Sequence, residues 1–171
     1  AGESLRNRNN VVQLPFFDDF TESDVCTDAA KWQNNNVLVN SGFPLYPTNY
    51  NAATLDILDM TGKVYPHASS SPFIADSLIS NPISLKELTP ADSVYLSFYY
   101  QPQGNGDAPE ATDSLVLMFA CKTDTTLVWN HIWSTEGVTL DSFLLANDGN
   151  YFKQVMIPVV DEKYFGNDIV I

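Results

Sequence analysis

Apolar and polar residues alternate along several short stretches of the chain, and alternation with a period of two predicts β-strands. In residues 94–100 the even-numbered positions form one apolar face, while Tyr95, Ser97 and Tyr99 form the opposite face. In residues 114–121 both faces are apolar, which predicts a central strand that is covered on each side. Further strands are predicted at residues 11–20, 36–40, 53–59, 74–80, 83–85, 127–133, 151–159 and 167–171.

Loops rich in glycine, proline, asparagine and aspartate separate these strands, and no amphipathic helix of three turns is predicted. Residues 21–31 and 142–145 are each assigned one helical turn. This arrangement predicts an all-β fold, a two-sheet antiparallel β-sandwich of jelly-roll type. Residues 1–10 lack periodicity and are assigned as a flexible leader, and residues 11–171 as the sandwich domain. The chain stops on an apolar run, so our hypothesis is that the sandwich is truncated at its C-terminal strands and belongs to a longer polypeptide.

The composition indicates one globular domain, because 171 residues with 44% hydrophobic and 12% aromatic content suffice for a single core. No run of about 18 apolar residues occurs, so no membrane insertion is predicted. Twenty-one acidic and eight basic residues give a net charge of −13, which disfavours nucleic acid and anionic lipid as partners. The charge has two interpretations: it keeps the chain soluble, or some of the carboxylates converge on divalent cations.

The loop at residues 101–113 joins the two clearest strands, and calcium is its first candidate ligand. Asp107, Glu110 and Asp113 lie at every third position, and glycines allow the loop to fold back so that the carboxylates converge. Asp19 lies in an aromatic strand, where an unpaired charge is costly. The alternative is that these acids start strands, cap turns or face water. The sequence contains no EF-hand spacing.

The two cysteines leave two interpretations open. Cys26 and Cys121 form a disulfide in an oxidising compartment, or Cys121 is a small apolar thiol at the end of a buried strand. Catalysis is not predicted, because the chain has no nucleophile elbow, zinc-protease motif or phosphate-binding glycine loop.

Aromatic side chains offer a binding chemistry, since an exposed flat ring can stack on the face of a sugar. The candidate ligand-binding residues are Trp129, Trp133 and Tyr50. The alternative for each tryptophan is packing in the core of the sandwich.

The order of several motifs resembles the N-terminal jelly-roll domain of secreted surface proteins from Bacteroidetes, the group that uses type IX secretion and gliding. The motifs are Leu-Pro-Phe-Phe-Asp-Asp-Phe at residues 14–20, Ala-Asp-Ser-Leu-Ile-Ser-Asn-Pro-Ile-Ser-Leu at 75–85, Phe-Tyr-Tyr-Gln-Pro-Gln-Gly at 98–104 and Asp-Ala-Pro-Glu at 107–110. The pattern is more distantly similar to MAM and concanavalin-like sandwich domains.

The resemblance covers most of the chain, from residue 14 to residue 171. It implies a secreted location, at the cell surface or associated with the outer membrane. It implies a non-enzymatic adhesive or scaffolding role, with a protein or glycan at the cell surface as partner. Similarity to calcium-bearing sandwiches adds Asp19 and Asp56 to the candidate calcium ligands. A lectin-like, carbohydrate-binding domain is the alternative function.

Overall fold

Short antiparallel strands make up most of the regular structure. The computed structural model of the protein describes residues 10–23, 25–59, 61–66, 68, 73–122 and 127–171. Its strands are β1 (Leu38–Asn40), β2 (Ala52–Thr54), β3 (Ile83–Ser84), β4 (Tyr95–Tyr100), β5 (Ser114–Lys122), β6 (Leu127–Glu136), β7 (Lys153–Pro158) and β8 (Asp168–Val170). One α-helix, α1 (Leu140–Ala146), and two 3-10 turns, Pro90–Asp92 and Glu162–Tyr164, complete the described elements. Within these residues, no helix is long and apolar enough to cross a membrane.

The strands pair in three antiparallel sheets, with the orders β1–β2, β3–β8–β5–β6 and β4–β7. The all-β antiparallel character expected from the sequence is therefore confirmed. Of the strand expected at residues 53–59, only residues 53 and 54 lie in a strand, as part of β2. Of residues 74–80, only Ser80 pairs, through an isolated bridge to Trp32. Residues 1–9 of the expected leader lie outside the described part.

The helical turn expected at residues 142–145 is confirmed and extends to the seven residues of α1. It begins where the Thr139 side chain accepts a hydrogen bond from the Ser142 amide at 3.4 Å, which satisfies one of the unpaired donors at a helix start. In the other segment, no helix is assigned among the described residues of 21–31. A turn is closed there, since the Asp28 carbonyl accepts from the amides of Lys31 and Trp32. Val25 forms an isolated bridge to Val39.

The core is centred on Phe119 of β5, which is 2% exposed. Its ring meets the ring of Tyr164 edge-on, with 5.4 Å between centroids. Leu96 of β4 and Leu117 of β5 pack against the same cluster, so β4–β7 and the four-stranded sheet share one core. Burial of each such side chain stabilises the fold by roughly 1.5–3 kcal/mol. The other buried members of the cluster are Ile83, Leu85, Val159, Phe165 and Ile169.

Strand β5 is central, as the sequence predicts, because it lies between β8 and β6. Its second face is covered in part. Ala120 on that face is fully buried, whereas Val116 is 46% exposed. The pairing of β5 with β6 shifts between Leu117 and Met118, since Leu117 lies opposite Trp133 and Met118 lies opposite His131. Residue 132 of β6 is therefore an extra residue, and this β-bulge reverses the alternation of side chains beyond it.

The first half of the loop at residues 101–113 is held by packing against a second loop. The Asn105 amide donates to the Phe43 carbonyl and its side chain donates to the Gly42 carbonyl, both at 2.8 Å. Gly104 lies so close to Phe43 that an added Cβ would clash with the Phe43 carbonyl oxygen and lie 2.8 Å from its Cδ1 atom. Glycine is required at position 104 for this close approach.

We expect Gly104→Ala to lower the free energy of unfolding by about 1–3 kcal/mol, because the new methyl group has to displace backbone. The matched control is Gly42→Ala, since a Cβ at Gly42 meets nothing within 4 Å. Urea unfolding followed by tryptophan fluorescence measures both variants. Equal stability of the two variants would contradict this packing of the loops.

Candidate functional site

The outer face of the β4–β7 pair is aromatic and uncharged. Tyr95, Ser97 and Tyr99 of β4 lie opposite Pro158, Met156 and Gln154 of β7 in the antiparallel register, and we call these six residues the tyrosine face. Tyr95 is 56% exposed, Tyr99 is 52% exposed and Met156 is 59% exposed. Strand β4 alternates strictly between exposed and half-buried positions, as the sequence predicts. The tyrosine face is therefore turned away from the core.

The opposite side of β4 explains why these residues point outward. Phe98 and Tyr100 both pack edge-on against Trp133 of β6, each with 5.4 Å between ring centroids. Tyr100 also meets Phe143 of α1 at 5.6 Å. Val155, opposite Phe98 in β7, is buried. Because neighbouring residues of a strand point to opposite faces, burial of these side chains exposes Tyr95 and Tyr99.

A polar pair lies between the two tyrosines of the face. The Gln154 side-chain amide donates to the Ser97 hydroxyl at 3.0 Å, across the two strands. Gln154 has a second N–H and an acceptor oxygen, and Ser97 has its own O–H to donate. The tyrosine face thus combines two apolar rings with hydrogen-bonding groups placed between them.

Two further tyrosines lie beyond the end of β4. Gln101 directly follows the strand, and its side chain binds the backbone N–H and carbonyl of Leu45 and the carbonyl of Tyr151, at 2.9–3.0 Å. The ring of Tyr46 packs against the ring of Tyr151, with 4.6 Å between centroids. Tyr46 has a left-handed backbone and is 74% exposed. Gln101 therefore ties the loop that carries the exposed Tyr46 to the end of β4.

The candidate calcium ligands do not converge. Within the described residues, no group of three or more histidine, cysteine, aspartate or glutamate side chains lies close enough to hold a metal ion. Asp113 accepts from the Glu110 amide at 2.9 Å, and Asp19 accepts from the Thr21 amide at 3.0 Å. The hydrogen bond from the Thr21 amide also lowers the pKa of Asp19.

The two remaining calcium candidates differ in their surroundings. Asp107 is exposed, and Asp56 accepts from the Leu58 amide at 2.6 Å. Three of the five carboxylates, those of Asp19, Asp56 and Asp113, thus close local turns. Calcium binding stays a prediction.

The three aromatic candidates lie in different environments. The bulge in β6 separates the two tryptophans, because Trp133 lies opposite Leu117 on the core face and Trp129 lies opposite Ala120 on the other face. Trp133 is half-buried and packs against Phe98 and Tyr100 on the inner side of β4, which is closer to the packing interpretation of its sequence position than to an exposed binding ring. Trp129 is 37% exposed and Tyr50 is 71% exposed.

Of the two interpretations of the cysteines, the structure shows the unpaired one, since Cys26 and Cys121 are both free thiols. Cys26 is exposed and accepts a hydrogen bond from the Asn35 side chain at 3.1 Å. Cys121 lies on the core face of β5 with its sulfur 3.5 Å from the Lys163 carbonyl. Burial raises the pKa of the Cys121 thiol. The interpretation of Cys121 as a small apolar thiol fits this position.

The sequence did not predict the burial or the contacts of Asp76, which is a half-buried carboxyl. Asp76 accepts from the Tyr65 hydroxyl at 2.6 Å and from the Asp56 amide at 2.7 Å. Burial raises the pKa of Asp76, and the nearby charge of Asp56 adds to this, while the two hydrogen bonds oppose it. The signal in the sequence was weak, since nothing between residues 56 and 76 indicates that these groups meet.

We expect Tyr65→Phe to raise the pKa of Asp76 further, because this variant removes a hydrogen bond that stabilises the charged carboxylate. A carboxyl with a raised pKa binds protons more tightly in the folded state than in the unfolded state. Its contribution to stability is therefore largest below the unfolded pKa and is lost as the pH rises through the folded pKa. Carbon-detected NMR titration from about pH 3 to pH 7 measures this pKa. An unchanged or lower pKa in Tyr65→Phe would contradict the contact.

Comparisons of the chain with protein-family models, with curated proteins and with solved structures find no significant match. In the described part of the chain, the tyrosine face is an exposed surface on which regular strand pairing orders both aromatic and polar groups.

Proposed function

We propose that the chain is a non-enzymatic interaction module of an exported protein at the cell surface or outer membrane, and that it binds its partner through the tyrosine face. The observation that carries this proposal is the exposure of Tyr95, Tyr99 and Met156 side by side on one ordered ribbon. The resemblance of residues 14–20 and 98–110 to surface proteins of Bacteroidetes supports the location.

Packing does not require tyrosine at these positions. The outward side chains of β4 need only a preference for strands, which threonine or valine meets without an exposed ring. Tyrosine and methionine are enriched at binding surfaces, and charged residues are depleted at the centres of such surfaces. The composition of the tyrosine face is therefore that of a binding surface.

The fold that we propose for this module is the two-sheet sandwich of jelly-roll type. It is supported by the antiparallel pairing of all three sheets and by the core that Leu96 of β4 shares with Phe119 of β5. A sandwich presents the outer side of each sheet to its surroundings. On this arrangement, the tyrosine face is the outer side of the smaller sheet.

Replacement of both tyrosines by threonine tests the proposed function. We expect beads coated with the protein to adhere to intact Bacteroidetes cells, and Tyr95→Thr/Tyr99→Thr to reduce the adhering beads at least fivefold. Threonine keeps the preference for strands, so the fold is retained. Microscopic counting of bound beads is the measurement.

The matched control is Phe17→Thr, which removes a ring that is 71% exposed elsewhere on the surface. This variant should adhere like the unmodified protein. Adhesion that is absent, or that survives in the double variant, would refute the proposal.

A further inference from the structure

We propose that the tyrosine face binds a neutral oligosaccharide, laid along the ribbon of β4 and β7. This inference rests on the proposed function and names the chemical class of its partner. Its basis is the combination of size, charge and chemistry in the six residues of the face.

The size of the tyrosine face fits a short chain of sugars. Strands β4 and β7 form six residue pairs. At about 3.3 Å for each pair the ribbon is about 20 Å long, and two strands about 5 Å apart make it roughly 10 Å wide. Its area is then about 200 Å², whereas a stable protein interface covers about 800 Å² on each partner. Charged residues flank the face, because Lys153 is the first residue of β7 at one end of the ribbon and Asp92 precedes β4 at the other.

The charge of the protein favours a neutral ligand. The six residues carry no charge, yet the whole chain has a net charge of −13. An anionic polysaccharide, or a second copy of this chain, would be repelled by the surrounding field. A cationic ligand would find no carboxylate on the face itself to pair with. A neutral oligosaccharide meets no such repulsion and needs no ionic partner.

The arrangement of rings and polar groups matches the two sides of a sugar. Tyr95 and Tyr99 lie four residues apart, about 13 Å along the strand, with the small Ser97 between them. The face of a tyrosine ring is apolar and carries the negative side of the ring quadrupole, so it accepts the C–H groups of a pyranose ring. Between the rings, the Gln154 amide and the Ser97 hydroxyl offer donors and an acceptor to sugar hydroxyls.

Isothermal titration with a defined panel tests the inference. The neutral probes are cellohexaose, xylohexaose, mannohexaose, maltohexaose and chitohexaose, and the anionic probes are oligogalacturonate and alginate hexamers. We expect at least one neutral hexamer to bind with a single saturable isotherm. Its Kd should rise at least tenfold in Tyr95→Thr/Tyr99→Thr and at least threefold in Gln154→Ala, and stay unchanged in Phe17→Thr. Thermal melts confirm that each variant is folded.

Three results of the titration would overturn the inference. The first is that no neutral hexamer binds, and the second is that an anionic hexamer binds more tightly. The third is that Trp129→Thr or Tyr50→Thr abolishes sugar binding while the double tyrosine variant retains it. Adhesion of beads that requires the tyrosine face, survives periodate treatment of the cells and is lost after protease treatment would indicate a protein partner. That result would overturn the glycan class and leave the proposed function intact, whereas the absence of all adhesion would overturn both.

Discussion

The pairing register of β4 with β7 is the constraint on which the exposed surface depends. Tyr95 pairs with Pro158 and Tyr100 pairs with Lys153, so Phe98 lies opposite the buried Val155. A slip of one residue would turn Phe98 toward water and the tyrosines toward the core. Such a slip would remove the contacts of Phe98 and Tyr100 with Trp133 and expose the buried Val155, so burial of the inner face fixes the register. The outward direction of the tyrosines is thus a consequence of what the inner face buries.

The side chain that packs against the inner face of β4 is positioned by one extra residue in β6. Residue 132 forms the bulge of β6, which places Trp133 on the core face against Phe98 and Tyr100. In a regular strand, Trp133 would share a face with Trp129. The bulge therefore places the two tryptophans on different faces of β6. Trp133 packs against Phe98 and Tyr100 of β4, and Trp129 is partly exposed.

The sequence predicts local alternation well and distant contacts poorly. It separates the two faces of β4 correctly, because this requires only a period of two. Which face meets the core depends on Trp133 and Phe143, more than 30 residues further along the chain. The bulge has no signature in the residues around position 132. The same reason explains why the sequence leaves two interpretations open for Cys26 and Cys121, whose surroundings in the fold it does not show. The hydrogen bond between the Leu45 amide and the Gln101 side chain is another distant contact of this kind, since it joins residues 56 positions apart.

Chemical labelling of the eight tyrosines is the most direct test of the central claim that β4 turns Tyr95 and Tyr99 outward while Tyr100 faces the core. Acetylation by N-acetylimidazole, read by peptide mass spectrometry, reports the accessibility of each hydroxyl. We predict that Tyr95 and Tyr99 react at rates close to that of the exposed Tyr50, and that Tyr100 and the buried Tyr164 are protected. Protection of Tyr95 and Tyr99 together with rapid reaction of Tyr100 would contradict the account.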